Sequence, residues 1–281
     1  MKLSQGQKLM LFSVFWFSLM NVCVKALPRI PEVQIAWLRG VFALFICAYL
    51  LRRKRLSPKG KNQKLLFLRG IFGSISLVLY FIALQSLPLA AATTIQSLAP
   101  LFSLMLAALF YREMTTAKQW MYFFVAFLGI AVLRSFDEQI RFTPFLCALA
   151  ASFLSAIAYT SVRGLRNSDH PYVVVYYFAL IASIGIAPFA LSNFVWPTSS
   201  EWLTLVAIGA FTQLGQITMT QAYHEAPMSE VGQLAYLNPL LGLLWGYVFF
   251  QEWIPFSSLL GLSLILFGVI QATRSKPLTK S

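Results

Sequence analysis

Apolar runs of roughly the 20 residues that cross a bilayer recur along almost the whole chain. In order they predict spans near 9–26, 33–51, 64–86, 89–111, 118–134, 143–163, 171–191, 201–223, 228–250 and 256–273. The expected fold class is an all-α polytopic membrane protein of ten transmembrane helices. Composition agrees: with 58% hydrophobic and 11% charged residues and a mean hydropathy of +0.71, an aqueous fold would lack the polar surface to cover itself. The first run follows Lys2 and Lys8 in the manner of a signal peptide. It is long, however, and reaches Lys25 without a small-x-small cleavage site, so it is read as the first helix.

A net charge of +13 would suit nucleic acid, but the basic residues sit in the short gaps between spans, where they act as topology signals. With the N-terminus inside, the inner gaps hold 16 Lys and Arg and the outer gaps four, namely Lys25, Arg29, Arg134 and Arg141. The chain is expected in the cell inner membrane with both termini cytoplasmic and no nucleic-acid partner. The densest gap, Arg52, Arg53, Lys54, Arg55, Lys59, Lys61 and Lys64, also suits anionic headgroups, which makes membrane lipids a partner class. Cys23, Cys47 and Cys147 lie within spans without metal-ligand spacing, so neither a disulfide framework nor a metal site is expected.

The chain repeats itself. At an offset of 139, Ala83 to Glu113 aligns without a gap on Ala222 to Glu252. Identities include Pro88/Pro227, Pro100/Pro239, Phe110/Phe249 and Glu113/Glu252, and Gly129/Gly268 keeps the same offset beyond the window. At an offset of 138, Lys25 on span 1 meets Arg163 on span 6. Each half is then five spans: 9–134 and 143–273, with 274–281 as a cytoplasmic tail. Five is odd, so the second copy enters the membrane in the opposite orientation, the inverted-repeat plan of many secondary transporters.

The segments that repeat carry a family likeness. Leu68-Arg69-Gly70, Tyr80-Phe81-Ile82-Ala83-Leu84, Leu87-Pro88-Leu89-Ala90, Ala99-Pro100-Leu101-Phe102 and Tyr111-Arg112-Glu113 resemble an EamA module of the drug/metabolite transporter superfamily. Gln221-Ala222-Tyr223, Ala226-Pro227, Tyr236-Leu237-Asn238-Pro239 and Gln251-Glu252 resemble a second. The resemblance implies a carrier of two inverted five-helix modules around a central cavity, working by alternating access. Its implied cargo is a small metabolite such as an amino acid, a nucleotide-related compound, a vitamin or a drug-like molecule. A channel, a lipid flippase and a non-transporting membrane subunit are the alternatives, and a homodimer is compatible with the pattern. The second copy has Gln251-Glu252 where the first has Arg112-Glu113.

Helical spacing sorts the polar residues into candidate roles. Pro100 and Pro239 fall near the middles of spans 4 and 9 and are read as helix breaks, since each removes a donor and crowds the carbonyl one turn back. Arg69, Gly73, Ser76 and Tyr80 step by 4, 3 and 4 along one side of span 3. Gln213, Gln216 and Thr220 on span 8 step by 3 and 4, with His224 continuing the line; Ser13, Phe17, Asn21 and Lys25 step by 4 on span 1. Gln96, Pro100 and Ser103 share a face of span 4, and Gln233, Tyr236 and Leu240 a face of span 9 beside Asn238. Polar faces in lipid turn inward. Interhelical hydrogen bonding explains any one of them; converging together, they suggest a substrate cavity built from Asn21, Arg69, Ser76, Tyr80, Gln96, Gln213, Gln216, Thr220, Tyr236 and Asn238.

Arg39 and Arg69 are charges within spans, each either snorkelling to a headgroup or meeting a partner in the interior. All nine carboxylates sit at span ends or in gaps, so the cavity is expected to favour neutral, zwitterionic or anionic ligands over organic cations. Lys25, Arg163, His224 and Glu230, near the mouths, are the gating or coupling candidates. His170 and His224 stand in separate gaps, with neither an HExxH pair nor a phosphate-cradling glycine loop. No enzymatic activity and no cofactor are therefore expected.

Overall fold

The computed structural model describes residues 3–111, 117–135, 141–226, 231–253 and 255–274, and every regular element among them is helical. In chain order they are α1 (Gln5–Lys25), α2 (Glu32–Arg53), α3 (Gln63–Ser86), α4 (Leu89–Gln96), α5 (Ala99–Tyr111), α6 (Ala117–Ser135), α7 (Phe142–Leu165), α8 (Pro171–Ser192), α9 (Ser199–Glu225), a 3-10 turn (Gly232–Tyr236), α10 (Leu237–Phe250) and α11 (Phe256–Arg274). Six of these, α1 to α3 and α7 to α9, are long and apolar enough to cross a membrane whole.

Helix ends follow local chemistry. Ser4 and Gln7 close a reciprocal capping box on α1, and Thr198 and Glu201 close another on α9. Pro171 opens α8, where its missing N–H has no partner to lose. The fourth span is broken at Ser97 and Leu98, between α4 and α5 and just ahead of Pro100. The ninth is a 3-10 turn that becomes α10 just ahead of Pro239. A proline ring crowds the carbonyl four residues back, which explains why regular α-helix gives way before each one.

Each half packs mainly on the other. The four most extensive contacts join α1 with α9, α2 with α8, α3 with α7 and α6 with α11. Exchanging the halves turns the first pair into the third and leaves the others unchanged, as a pseudo-two-fold axis requires. Gly129 and Gly268 sit at the same place in the two copies and do the same job. A Cβ on Gly129 would lie 2.7 Å from the Ile265 amide nitrogen, and one on Gly268 would lie 2.6 Å from the Tyr122 carbonyl. The backbones of α6 and α11 touch because these positions lack a side chain, the small-residue packing that substitutes for a hydrophobic drive in lipid. Alanine at either would force them apart, an overpacking cost of about 1–3 kcal/mol.

Large apolar side chains point outward around the bundle, among them Phe45, Phe124 and Phe189, each about two-thirds exposed or more. In water such a surface would be an aggregation hazard; in lipid it is the matching solvent. At the end of the bundle where α2 meets α3, the Asp169 carboxylate accepts the backbone N–H groups of Lys61 at 2.6 Å and Asn62 at 3.1 Å. Burial pushes this carboxyl up, but the Ser168 hydroxyl and those two amides outweigh it and hold the group below its ordinary value.

Candidate functional site: a guanidinium-lined central cavity

A cavity of about 120 Å³ lies where α1, α2, α3, α7, α8 and α9 meet the broken spans. Its walls include Asn21 from α1, Arg39 from α2, Arg69, Gly73, Ser76 and Tyr80 from α3, and Gln96 from the end of α4. Ser155 and Tyr159 from α7, Gln216 from α9 and Asn238 from α10 complete the polar lining, with Phe17 from α1 and Phe178 from α8 beside them. Typical ligand sites hold roughly 300–1,000 Å³, so the helices must separate somewhat before a metabolite fits.

A roomier groove of about 370 Å³ runs between α3 and α8, lined by Ile71, Ile75, Val78, Ile181 and Phe189. Ile71, Ile75 and Phe189 are exposed, which places the groove on the outer face of the bundle. Its walls are almost wholly apolar, so it offers a polar solute nothing, and the smaller interior cavity is the better candidate.

The two arginines dominate the site. Both are buried, at 5% exposure for Arg39 and 4% for Arg69, and both turn into the interior instead of reaching along their stems toward headgroups. Arg39 donates Nε–H to the Thr212 hydroxyl at 2.9 Å, and its guanidinium carbon lies 5.5 Å from the centre of the Phe178 ring. The Arg69 guanidinium lies over the same ring at 4.1 Å. Guanidinium groups are attracted to ring faces, so Phe178 orients both.

Below them a chain of small polar groups crosses the cavity wall. The Ser76 hydroxyl bridges to the Ala151 carbonyl and the Ser155 hydroxyl, and Gln96 donates Nε2–H to Ser155 at 2.7 Å. Asn21 and Tyr80 sit side by side without closing a hydrogen bond of ordinary length.

Of the residues singled out by spacing, Asn21, Arg69, Ser76, Tyr80, Gln96, Gln216 and Asn238 come together here. Gln213 does not reach the lining, because its amide donates to Cys47 Sγ at 2.9 Å. Thr220 is turned back onto the Gln216 carbonyl of its own helix. Tyr236 is buried in the 3-10 turn, His224 is half-buried near the end of α9, and Arg163 is exposed at the end of α7. Pro227, Glu230, Arg112 and Glu113 lie outside the described residues, as does the side chain of Gln233.

Lys25 is part of a different assembly, at the end of the bundle away from the basic gap. Its ammonium pairs with Glu252 at 2.7 Å and donates to the Leu87 carbonyl, while the other Glu252 oxygen accepts the Leu89 N–H that opens α4, at 2.8 Å. Gln251 closes α10 in the left-handed region, φ 52°, which is costly for a residue with a Cβ and here reverses the chain so that Glu252 faces inward. Nearby, Arg29 pairs with Glu201, and Gln34 exchanges hydrogen bonds with the Val195 backbone. All of these but the Leu87 contact tie the first half to the second.

Spacing alone does not single out Phe178, Ser155 or Tyr159. Ser152, Ser155 and Tyr159 do step by 3 and 4, a stripe of the kind used elsewhere, whereas nothing distinguishes Phe178 within the apolar run of α8.

Two five-span halves, exchanged by a pseudo-two-fold axis around a buried polar cavity, define a multi-pass membrane protein of the transporter type. The chain belongs to the EamA-like transporter family, whose model matches residues 5–135 and 143–274. It is 28% identical to the pseudopaline exporter CntI of Pseudomonas aeruginosa, over 98% of both chains. It is 26% identical to solute carrier family 35 member G1 of Mus musculus, over 85% of this chain and 70% of the other, and 22% identical to an S-adenosylmethionine uptake transporter of Rickettsia conorii, over 85% and 81%. A crystal structure with 19% sequence identity shares the fold at a TM-score of 0.70, covering 96% of this chain and 97% of the other.

Proposed function

We infer that this chain is a secondary carrier that moves a small polar metabolite across the cell inner membrane by alternating access. The observation that carries the reading is the cavity itself: a polar, doubly cationic space between two halves whose helices pack on one another. Asn21, Arg69, Ser76, Tyr80, Gln96, Gln216 and Asn238, joined by Arg39 and Phe178, bind the substrate. Lys25 and Glu252 hold one entrance shut. Charge in a membrane interior is retained where it serves transport, and two adjacent guanidiniums favour an anionic or zwitterionic cargo over an organic cation.

Relatives named as an exporter and as an uptake transporter lead to an assay in both directions. Purified protein in liposomes is expected to give saturable flux of at least one member of a panel of amino acids, nucleotides, vitamins and organic acids. Flux that rises linearly with concentration for every member would indicate a channel, and leak alone a non-transporting subunit.

Both termini face the cytoplasm in this reading, because the basic gap from Arg52 to Lys64 does. Reporter fusions after Lys64 and after Arg141 are expected to read cytoplasm and the opposite side respectively; the reverse pattern would invert the assignment of the two mouths.

A further inference from the structure

The central cavity holds two cations and, among the described residues, no anion. Arg39 and Arg69 share one aromatic ring, so their guanidinium carbons lie no further apart than 5.5 Å and 4.1 Å laid end to end. Neither is paired with a carboxylate, and among the described residues no acceptor takes a hydrogen bond from Arg69.

The described carboxylates are placed elsewhere. Glu252 binds Lys25, Glu201 binds Arg29, Asp169 holds the backbone of Lys61 and Asn62, and Glu32 and Glu225 stand at the ends of α2 and α9. Two like charges that have lost their hydration and lack a counter-ion repel one another, and attraction to a ring face offsets only part of that. A carboxylate answers one guanidinium with a bidentate pair. Two guanidiniums ask for two acidic groups.

The same walls carry polar atoms without hydrogen bonds: both amide atoms of Asn21, the Tyr80 hydroxyl, Gln96 Oε1 and Asn238 Oδ1. Three of these, on Asn21, Gln96 and Asn238, are carbonyl oxygens, which only accept. They need an N–H or O–H from whatever fills the space.

We propose that the cavity binds a small dicarboxylic acid bearing an amine or hydroxyl, its carboxylates on Arg39 and Arg69 and its donor on the amide oxygens of Gln96 and Asn238. The proposal deepens the carrier reading and rests on it for the identity of the site, but it is tested by binding and needs no flux.

The full chain, purified in detergent, is melted at constant ionic strength and neutral pH with malate, aspartate, succinate, inorganic phosphate, acetate or putrescine. Malate and aspartate are expected to raise the melting temperature most and succinate less, with acetate and putrescine giving no rise. Arg39→Gln and Arg69→Gln are each expected to weaken apparent malate or aspartate affinity roughly ten- to a hundredfold, the loss of one charge-assisted pair. Should a Gln variant not fold, Arg39→Lys and Arg69→Lys carry the test, since they keep the charge and lose the planar fork.

Acetate matching malate would overturn the proposal, as would dicarboxylate affinities unchanged in the variants. Stabilisation by phosphate alone would overturn it in favour of a compact dianion. A dicarboxylate that binds without being carried across liposomes would contradict the carrier reading and leave this one standing; saturable flux of a solute with which no dicarboxylate competes would do the reverse.

Discussion

Replacing Arg69 with Gln is expected to lower transport of an anionic substrate roughly ten- to a hundredfold, the range for losing one charge-assisted contact made by a buried side chain. Arg53→Gln is expected to stay within about twofold of the unaltered protein, because exposed substitutions rarely shift free energies by more than a few tenths of a kcal/mol. The contrast follows from placement. Arg69 is 4% exposed and lies against Phe178 in the cavity wall, whereas Arg53 is exposed at the end of α2. Rates are compared at matched membrane levels of the two variants. Equal losses would mean that Arg69 serves insertion or lipid contact and does not touch the ligand.

The second large effect concerns the entrance that the proposed carrier mechanism assigns to the Lys25–Glu252 pair. Both side chains are 13% exposed, between the surface pairs that contribute little and the buried pairs whose breaking costs about 3–5 kcal/mol. Glu252→Gln removes the ion pair while keeping an oxygen that can accept the Leu89 N–H. A loss of about 1.5–3 kcal/mol on the closed arrangement shifts its population roughly ten- to a hundredfold, so this variant is expected to leave the entrance open far more of the time. Reversing both charges, Lys25→Glu with Glu252→Lys, is expected to restore closure only in part. A lysine at 252 recovers the pairing but cannot accept from the backbone amide that opens α4.

How far this arrangement was legible in the sequence differs from feature to feature. The spans were, because bilayer thickness sets the length of an apolar run, and α3 runs Gln63–Ser86 where the pattern suggested 64–86. The stripe Arg69, Gly73, Ser76 and Tyr80 was legible too, since a helix repeats its face every three to four residues, and all four line the cavity. Spacing gives a face and not what lies opposite it. Gln213 and Thr220 share their stripe with Gln216, yet Cys47 stands in front of one and a backbone carbonyl takes the hydroxyl of the other.

Phe178 was not legible, because an aromatic residue in a uniformly apolar helix breaks no pattern, and only its contacts with two arginines set it apart. The pairing of Lys25 with Glu252 joins residues at opposite ends of the chain. Each alone reads as an ordinary charge at the end of a span.

Access to the cavity from one side at a time tests the account most directly. A thiol is placed at Ser155 in a chain whose Cys23, Cys47 and Cys147 are Ala, and Lys25 and Glu252 are also changed to Cys. With those two entrance cysteines joined by a reducible bis-methanethiosulfonate linker that spans the reach of the two original side chains, a membrane-impermeant thiol reagent is expected to reach Cys at 155 from the cytoplasmic side only. After reduction, it is expected to reach that thiol from either side, and raising the concentration of a transported substrate is expected to slow the labelling. Labelling from both sides with the linker intact would show a continuous pore and contradict alternating access through this cavity.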